Sequence, residues 1–251
     1  MFTAADLARH TGPLVVCTAY DYPFARVLER AGVDVILVGD SLANVVLGLP
    51  STRGVGMPEM ELFAAAVRRG APDTHVCIDL PYGADATVES AVRNATRLVE
   101  IGANSVKLEG SKPGVIQALV ECGIPVIGHL GVLPQTASSF RRVGVEDADR
   151  ERLLAEARAI RDAGVCALVL ENVEAETARA ITLAVDVPTI GIGSGTGTTG
   201  QVQVLHDVLG LTEKPPPFAR AFADLGAAAT QAVGEYVKWV RAHSGREAKA
   251  G

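Results

Sequence analysis

One unit recurs along this 251-residue chain: a glycine closes a helical stretch, a short apolar run follows, and a polar residue ends it. AGVDVILVGD (31–40) ends on Asp40, IGANSVKLEG (101–110) carries Lys107 and Glu109, and AGVCALVLEN (163–172) carries Glu171. On the same plan GAPDTHVCIDL (70–80) supplies Asp79 and CGIPVIGHLG (122–131) supplies His129. LVVCTAYD (14–21) and VPTIGIGSG (187–195) bring the runs to seven. Each preceding glycine suits a left-handed helix cap. Runs that stay apolar throughout read as strands buried on both faces.

Between the runs lie amphipathic stretches: FARVLERA, MELFAAAVRRG, ATVESAVRNATRLVEIG, VIQALVECG, DADRERLLAEARAIRDAG and AETARAITLAV. Strand alternating with helix predicts parallel βα units with right-handed crossovers. VQVLHD (202–207) is the candidate eighth strand. Only about seven residues precede it, short of a crossover helix, so 200–209 reads equally as helix. EKPPPF (213–218) is a proline-rich break, and FARAFADLGAAATQAVGEYVKWVRA reads as a long closing helix with Phe222, Leu225, Ala229, Val233, Tyr236 and Val240 on one face. The expected architecture is a (β/α)8 TIM-type barrel over residues 1–242, with a frayed tail at 243–251; an open doubly wound sheet is the alternative.

Composition closes off other classes. The formal net charge of −6, with basic residues no denser than the pairs Arg68-Arg69 and Arg141-Arg142, gives no footprint for nucleic acid. No apolar run reaches the roughly 18 residues of a membrane span, and MFTAADLARH lacks the pattern of a secretory leader. Cys17, Cys77, Cys122 and Cys166 have no metal-finger spacing and read as reduced core residues. The expectation is a cytoplasmic protein.

In a barrel, chemistry gathers where strands end, and Asp40, Asp79, Glu109, His129 and Glu171 all fall there. Asp40 alone reads as well as a helix cap, but five ionisable strand ends cannot all be caps. Four carboxylates in one mouth would raise one another's pKa, and a divalent cation removes that conflict. Oxygen ligands favour Mg2+, with Asp40, Asp79 and Glu109 as the set and Glu171 left over as a base. Lys107 and Glu109, two apart, share a face and form either an ion pair with each other or a metal ligand beside an anion-binding lysine. His129 is structural or functional; its flanking Gly128 and Gly131 leave room for approach to the ring. GTGTTG (195–200) matches a dinucleotide fingerprint in letters but follows the seventh strand, so it reads as a flexible or anion-contacting loop.

With those residues in view, the chain resembles the ketopantoate hydroxymethyltransferase family of the phosphoenolpyruvate mutase/isocitrate lyase superfamily. The matching segments are TAYDYPFA (18–25), VGDSL (38–42), AVRRGAP (66–72), DLPYG (79–83), SVKLEG (105–110), PVIGHLGVLPQ (125–135), LVLEN (168–172), PTIGIGSG (188–195) and GQVQVLHDVLGL (200–211). The resemblance implies one-carbon transfer from 5,10-methylenetetrahydrofolate to C3 of 3-methyl-2-oxobutanoate, giving 2-dehydropantoate for pantothenate biosynthesis. It implies Mg2+ on Asp40 and Asp79, with Glu109 assisting from the outer shell, and a 2-oxo acid bound by the metal, Ser41, Lys107 and His129. Glu171 is the implied base, and a homo-oligomer, pentamer or decamer, the implied assembly.

Two loops depart from the family's pattern: LGLPSTRGVGMPEM (47–60) lacks its histidine, and FRRVGVEDADR (140–150) lacks its paired glycines, tyrosine and glutamine. Thr199 stands where the family has aspartate. Such loops set substrate fit. The alternatives are therefore a paralogue running the same enolate chemistry on another 2-oxo acid, as transferase, aldolase or lyase; a Schiff-base enzyme built on Lys107; and a non-catalytic scaffold.

Overall fold

The computed structural model describes residues 2–244. The apolar runs become β1 (Leu14–Thr18), β2 (Val35–Val38), β3 (His75–Asp79), β4 (Ser105–Glu109), β5 (Val126–Gly131), β6 (Ala167–Glu171), β7 (Thr189–Ile192) and β8 (Gly200–Gln203). All pair in parallel with the next in sequence, and β8 returns to β1 through Leu14↔Gly200, closing the barrel. The open-sheet alternative is thereby excluded.

The helices are α1 (Ala4–Ala8), α2 (Tyr22–Ala31), α3 (Leu42–Val45), α4 (Met57–Gly70), α5 (Val88–Ile101), α6 (Pro113–Glu121), α7 (Asp147–Asp162), α8 (Ala175–Ala184), α9 (Leu205–Val208) and α10 (Leu225–His243). The glycine caps hold after α2 and α5, where Gly32 and Gly102 take φ of 79° and 111°. Gly70 is different. It is the last residue of α4, and a Cβ there would stand 2.5 Å from the Tyr22 carbonyl oxygen and 2.8 Å from Ala25 Cβ. Its bareness lets α4 close on α2, and no left-handed turn is involved.

The eighth strand forms at 200–203, earlier than VQVLHD suggests, and 205–208 is the one-turn helix α9. No crossover helix is needed, because β8 starts level with the middle of β7, in the register Ile190↔Gly200. The loop therefore returns over only part of a strand length. Thr189 and Thr199 clasp its base, each backbone N–H donating to the other's hydroxyl at 3.2 Å.

The N-terminal end of the barrel is plugged by Leu7 of α1, packed with Leu14, Val35 and Ala167. His75 sits fully buried at this end. Its Nδ1 is 3.2 Å from the Phe2 carbonyl oxygen and its Nε2 is 2.8 Å from Ser105 Oγ. A carbonyl only accepts, so Nδ1 carries the proton and Nε2 accepts from Ser105. Burial, aided by Arg68 and opposed by the Phe2 carbonyl, pushes the imidazole pKa down to about 4.

The described residues form two compact units divided after Val204, and every barrel strand lies in the first. In the second, the closing helix begins at Leu225, because Asp224 Oδ1 accepts from Ala227 N at 3.1 Å as its cap. Phe222 thus precedes the helix and lies under the Arg220 guanidinium. Helix α10 reaches His243; residues 245–251 of the expected tail lie outside the described residues. All four cysteines are free, but Cys122 is exposed at the end of α6 and is no core residue.

Candidate active site

Alternation along each strand selects what reaches the barrel interior. On β4, Lys107 and Glu109 face inward above Ser105; on β3, Asp79 stands above Cys77; on β5, His129 stands above Ile127; on β6, Glu171 stands above Val169. Asp40 enters by another route. Its chain turns after Val38, and the Asp40 backbone N–H donates to Asp79 Oδ2 at 3.0 Å. Gly39 leaves the turn open on its inner side: a Cβ there would lie 2.9 Å from Ser41 Oγ and 3.5 Å from Asp79 Oδ2. That one point therefore has the serine hydroxyl and the carboxylate as close neighbours.

The capping reading of Asp40 fails. Helix α3 takes Ser41 as its N-cap, without a side-chain cap bond. The Asp40 carboxylate instead accepts through Oδ2 from Gln135 Nε2 at 2.8 Å. Ser41 Oγ lies 2.8 Å from the hydroxyl of Tyr20, a buried residue at the end of β1.

Lys107 does not pair with Glu109. Its Nζ is 2.9 Å from Asp79 Oδ1 on the neighbouring strand and 3.5 Å from His129 Nδ1. Glu109 Oε2 accepts from the Gln135 backbone N–H at 3.0 Å, while Oε1 is 3.7 Å from His129 Nδ1. On the other side of the ring, His129 Nε2 is 3.4 Å from Glu171 Oε2. His129 therefore stands between the two carboxylates of β4 and β6.

The room expected around His129 is absent, since the residue is only 2% exposed. A Cβ on Gly128 would stand 2.8 Å from Ile160 of α7, and one on Gly131 would collide with the Glu171 carbonyl. These glycines admit a helix and a strand. They do not open the ring to a ligand.

Crowding of buried charge has the expected effect. Burial first, then Asp79 and Glu109, push the Asp40 carboxyl up to about 7, against the pull of Lys107 and Gln135. Glu109 is raised chiefly by burial, despite His129, Lys107 and the Gln135 amide. Burial alone would lower the Lys107 pKa; Asp79, Glu109 and Asp40 outweigh it and raise the ammonium instead. The lysine stays charged.

This donor set fits a hard divalent cation: the carboxylates of Asp40, Asp79 and Glu109 are buried together, and those of Asp40 and Glu109 are pushed up by that burial. No three of the described His, Cys, Asp or Glu side chains form a ready metal cage, so an ion on Asp40 and Asp79 would draw further ligands from substrate and water. The loop 195–200 is not a dinucleotide cradle. It leads into a strand, and Cβ atoms on Gly195 and Gly197 would stand 2.9 and 3.0 Å from Ala175 Cβ and Arg179 Cβ.

Gln135, Tyr20 and Arg53 complete the constellation, and the strand-end pattern does not predict them. Gln135 and Tyr20 lie beyond their strands, where period-two reasoning stops, and Arg53 sits in a single 3-10 turn, Thr52–Gly54, far from any strand end. For Gln135 and Tyr20 the available signal is proximity in sequence to strand ends; for Arg53 there is none.

A closed parallel barrel with acids, a lysine and a histidine at the C-terminal strand ends defines an enzyme of the (β/α)8 class. The chain belongs to the ketopantoate hydroxymethyltransferase family, whose model matches residues 2–244, and by that membership it is a hydroxymethyltransferase. It is 49% identical to the 3-methyl-2-oxobutanoate hydroxymethyltransferase of Pyrobaculum islandicum over 95% of this chain and 94% of that protein. The protein of the same name from Deinococcus radiodurans is 47% identical over 96% and 88%. Among solved structures, phosphoenolpyruvate phosphomutase from Streptomyces platensis subsp. rosaceus superposes with TM-score 0.65 at 17% identity, over 98% of this chain and 90% of that one. 2,3-Dimethylmalate lyase, a PEP mutase/isocitrate lyase superfamily member, gives 0.62 at 20%, over 97% and 89%. At such identities the likeness is one of fold.

Proposed function

We propose that this enzyme adds a hydroxymethyl group to C3 of 3-methyl-2-oxobutanoate, with Mg2+ in the mouth and 5,10-methylenetetrahydrofolate as the one-carbon donor. The observation that carries the reading, in a member of this family, is the division of the mouth into two acidic regions. Asp79 accepts from the Asp40 backbone N–H and pairs with Lys107, while Glu171 stands apart across His129. Asp40 and Asp79 would hold Mg2+, with Glu109 supporting from behind, and the ion would polarise the 2-oxo group as a Lewis acid.

Within that scheme, Lys107 stays cationic and attracts the substrate carboxylate, and Ser41, set by Tyr20, offers a hydroxyl beside it. Glu171 accepts the C3 proton. Water adds to the donor's methylene carbon, its protons going to the two departing nitrogens, so that tetrahydrofolate leaves and formaldehyde remains; C3 then bonds to the formaldehyde carbon, and the proton held by Glu171 passes to the new alkoxide oxygen. His129 Nε2, 3.4 Å from Glu171 Oε2, borders that carboxylate on the side facing Glu109.

A Schiff base on Lys107 is disfavoured, because such lysines need a lowered pKa and this one is raised. The variant loops 47–60 and 140–150 favour testing other 2-oxo acids beside the first substrate. A homo-oligomer in the cytoplasm belongs to the same reading, supported by the resemblance, by exposed Val233, Tyr236 and Trp239 on α10, and by the free thiols. No helix of the described residues is long and apolar enough to cross a membrane.

The test is C3 proton exchange of 2-oxo acids in D2O with Mg2+, followed by product formation with the folate donor. Exchange abolished by EDTA is the expected result. Label retained after borohydride with substrate would point to the lysine adduct instead.

A further inference from the structure

Gln135 lies four residues past β5 and is only 4% exposed. Its side-chain Nε2 donates to Asp40 Oδ2 at 2.8 Å and to the Leu80 carbonyl at 3.0 Å. The Leu80 carbonyl can only accept, so the amide has one chemically acceptable orientation. Its backbone N–H donates to Glu109 Oε2 at 3.0 Å. One residue thus grips one oxygen of each of two carboxylates that come from different strands.

Gln135 is itself held. Its carbonyl accepts from Arg53 Nε, and the Arg53 guanidinium lies 4.7 Å over the Tyr82 ring. Stacking fixes the guanidinium plane, so the donor keeps its aim. Arg53 belongs to the segment 47–60, one of the two that depart from the family's pattern.

We propose that Gln135 is a positioning residue that selects which oxygens of Asp40 and Glu109 remain for a cation and substrate, and that Arg53 acts through it. This rests on the reading of Asp40 and Asp79 as metal ligands. By engaging Oδ2, Gln135 leaves Oδ1 as the Asp40 oxygen not committed to it. Segment 47–60 then bears on the acidic cluster through two successive contacts, Arg53 on Gln135 and Gln135 on the carboxylates, and its sequence sets more than substrate fit.

The test uses full-length protein and Mn2+ alone, its binding followed by the loss of free-ion electron paramagnetic resonance signal. Gln135→Met keeps length and volume but cannot donate. It should weaken Mn2+ binding by about ten-fold or more, the usual range for losing an outer partner of a ligand. Arg53→Ala should weaken it by about three-fold, and by less when combined with Gln135→Met, because the two share a path. Arg53→Lys, which has neither the fixed Nε donor nor the plane, should not restore binding. Circular dichroism and melting of each variant are recorded beside the titration, and Asp79→Asn serves as the control for ligand loss.

Wild-type affinity in Gln135→Met, with wild-type protein binding Mn2+ and Asp79→Asn failing to, overturns the inference and spares the metal reading. Independent, additive effects of Arg53→Ala and Gln135→Met overturn the part assigned to Arg53. Failure of the wild type to bind Mn2+ removes the metal reading, and this inference with it.

Discussion

Lys107 Nζ lies 2.9 Å from Asp79 Oδ1, across the β4–β3 seam and within a mouth where both side chains are almost fully buried. The pair is the electrostatic hinge of the site: it places the one buried cation among the described lysines against the acid that also receives the Asp40 N–H. Removing one partner from such a pair leaves a buried charge uncompensated.

Lys107→Met is therefore expected to destabilise the metal-free protein by roughly 3–5 kcal/mol. On the proposed metal site, added Mg2+ should recover part of the loss, since the ion would neutralise the same carboxylates. Thermal melts with and without Mg2+ check this; a melt unaffected by the substitution would remove the pair from the stability argument.

Asp40→Asn should behave in the opposite way. Burial and neighbouring acids hold its carboxyl near 7, so ionisation there is unfavourable, and an asparagine Oδ1 can still accept from Gln135 Nε2. The variant is expected to fold with equal or greater stability and to lose Mg2+ affinity and turnover sharply. Normal turnover at low Mg2+ would mean that the assigned ligands are wrong.

Glu171→Gln separates base from metal. The amide keeps the shape but cannot take a proton, so C3 exchange in D2O should fall by roughly 10²–10⁴-fold. Mg2+ and oxo-acid binding should stay within a few-fold of wild type. Rapid exchange by the variant would move the base elsewhere, first to His129.

His75 predicts an acid limb in stability. Its pKa is lowered in the folded chain, from 6.5 to about 4. Between those values the unfolded chain binds the proton more readily, so stability is full above about 6.5 and declines as pH falls towards 4. The contribution is on the order of 3 kcal/mol, from the shift at about 1.4 kcal/mol per pH unit. Denaturant titrations from pH 4 to 7 should give a shallower slope in His75→Gln than in wild type, and equal slopes would assign the limb to other groups.

Asn172, next after Glu171, ties the 140–150 loop to the end of β6. It is the one non-glycine with positive φ among the described residues, at 49°. Its Nδ2 donates to the Phe140 carbonyl at 2.8 Å, and its own carbonyl accepts from Val143 N at 3.1 Å. Asn172→Gly keeps the backbone conformation and releases Phe140. KM for the oxo acid or the donor should rise while C3 exchange continues; an unchanged KM would detach this loop from substrate capture.

The repeat of capped helix and apolar run was enough to determine alternating βα units, because burial on both faces and the helix period are local properties written residue by residue; that they close into a barrel and do not stay an open sheet was decided by the pairing of β8 with β1. It also placed Asp79, Lys107, Glu109, His129 and Glu171 at the rim, since strand alternation carries each inward. Tertiary structure alone decided the partners. Lys107 faces Asp79 and not Glu109 because strand register sets which neighbours meet, and no spacing within one strand encodes that. Gly70 and Gly128 serve close packing by helices distant in sequence. Gln135 reaches Asp40 across 95 positions, from a loop with no period to read. Closing the ring brings such groups within hydrogen-bond range, and only closure can do so.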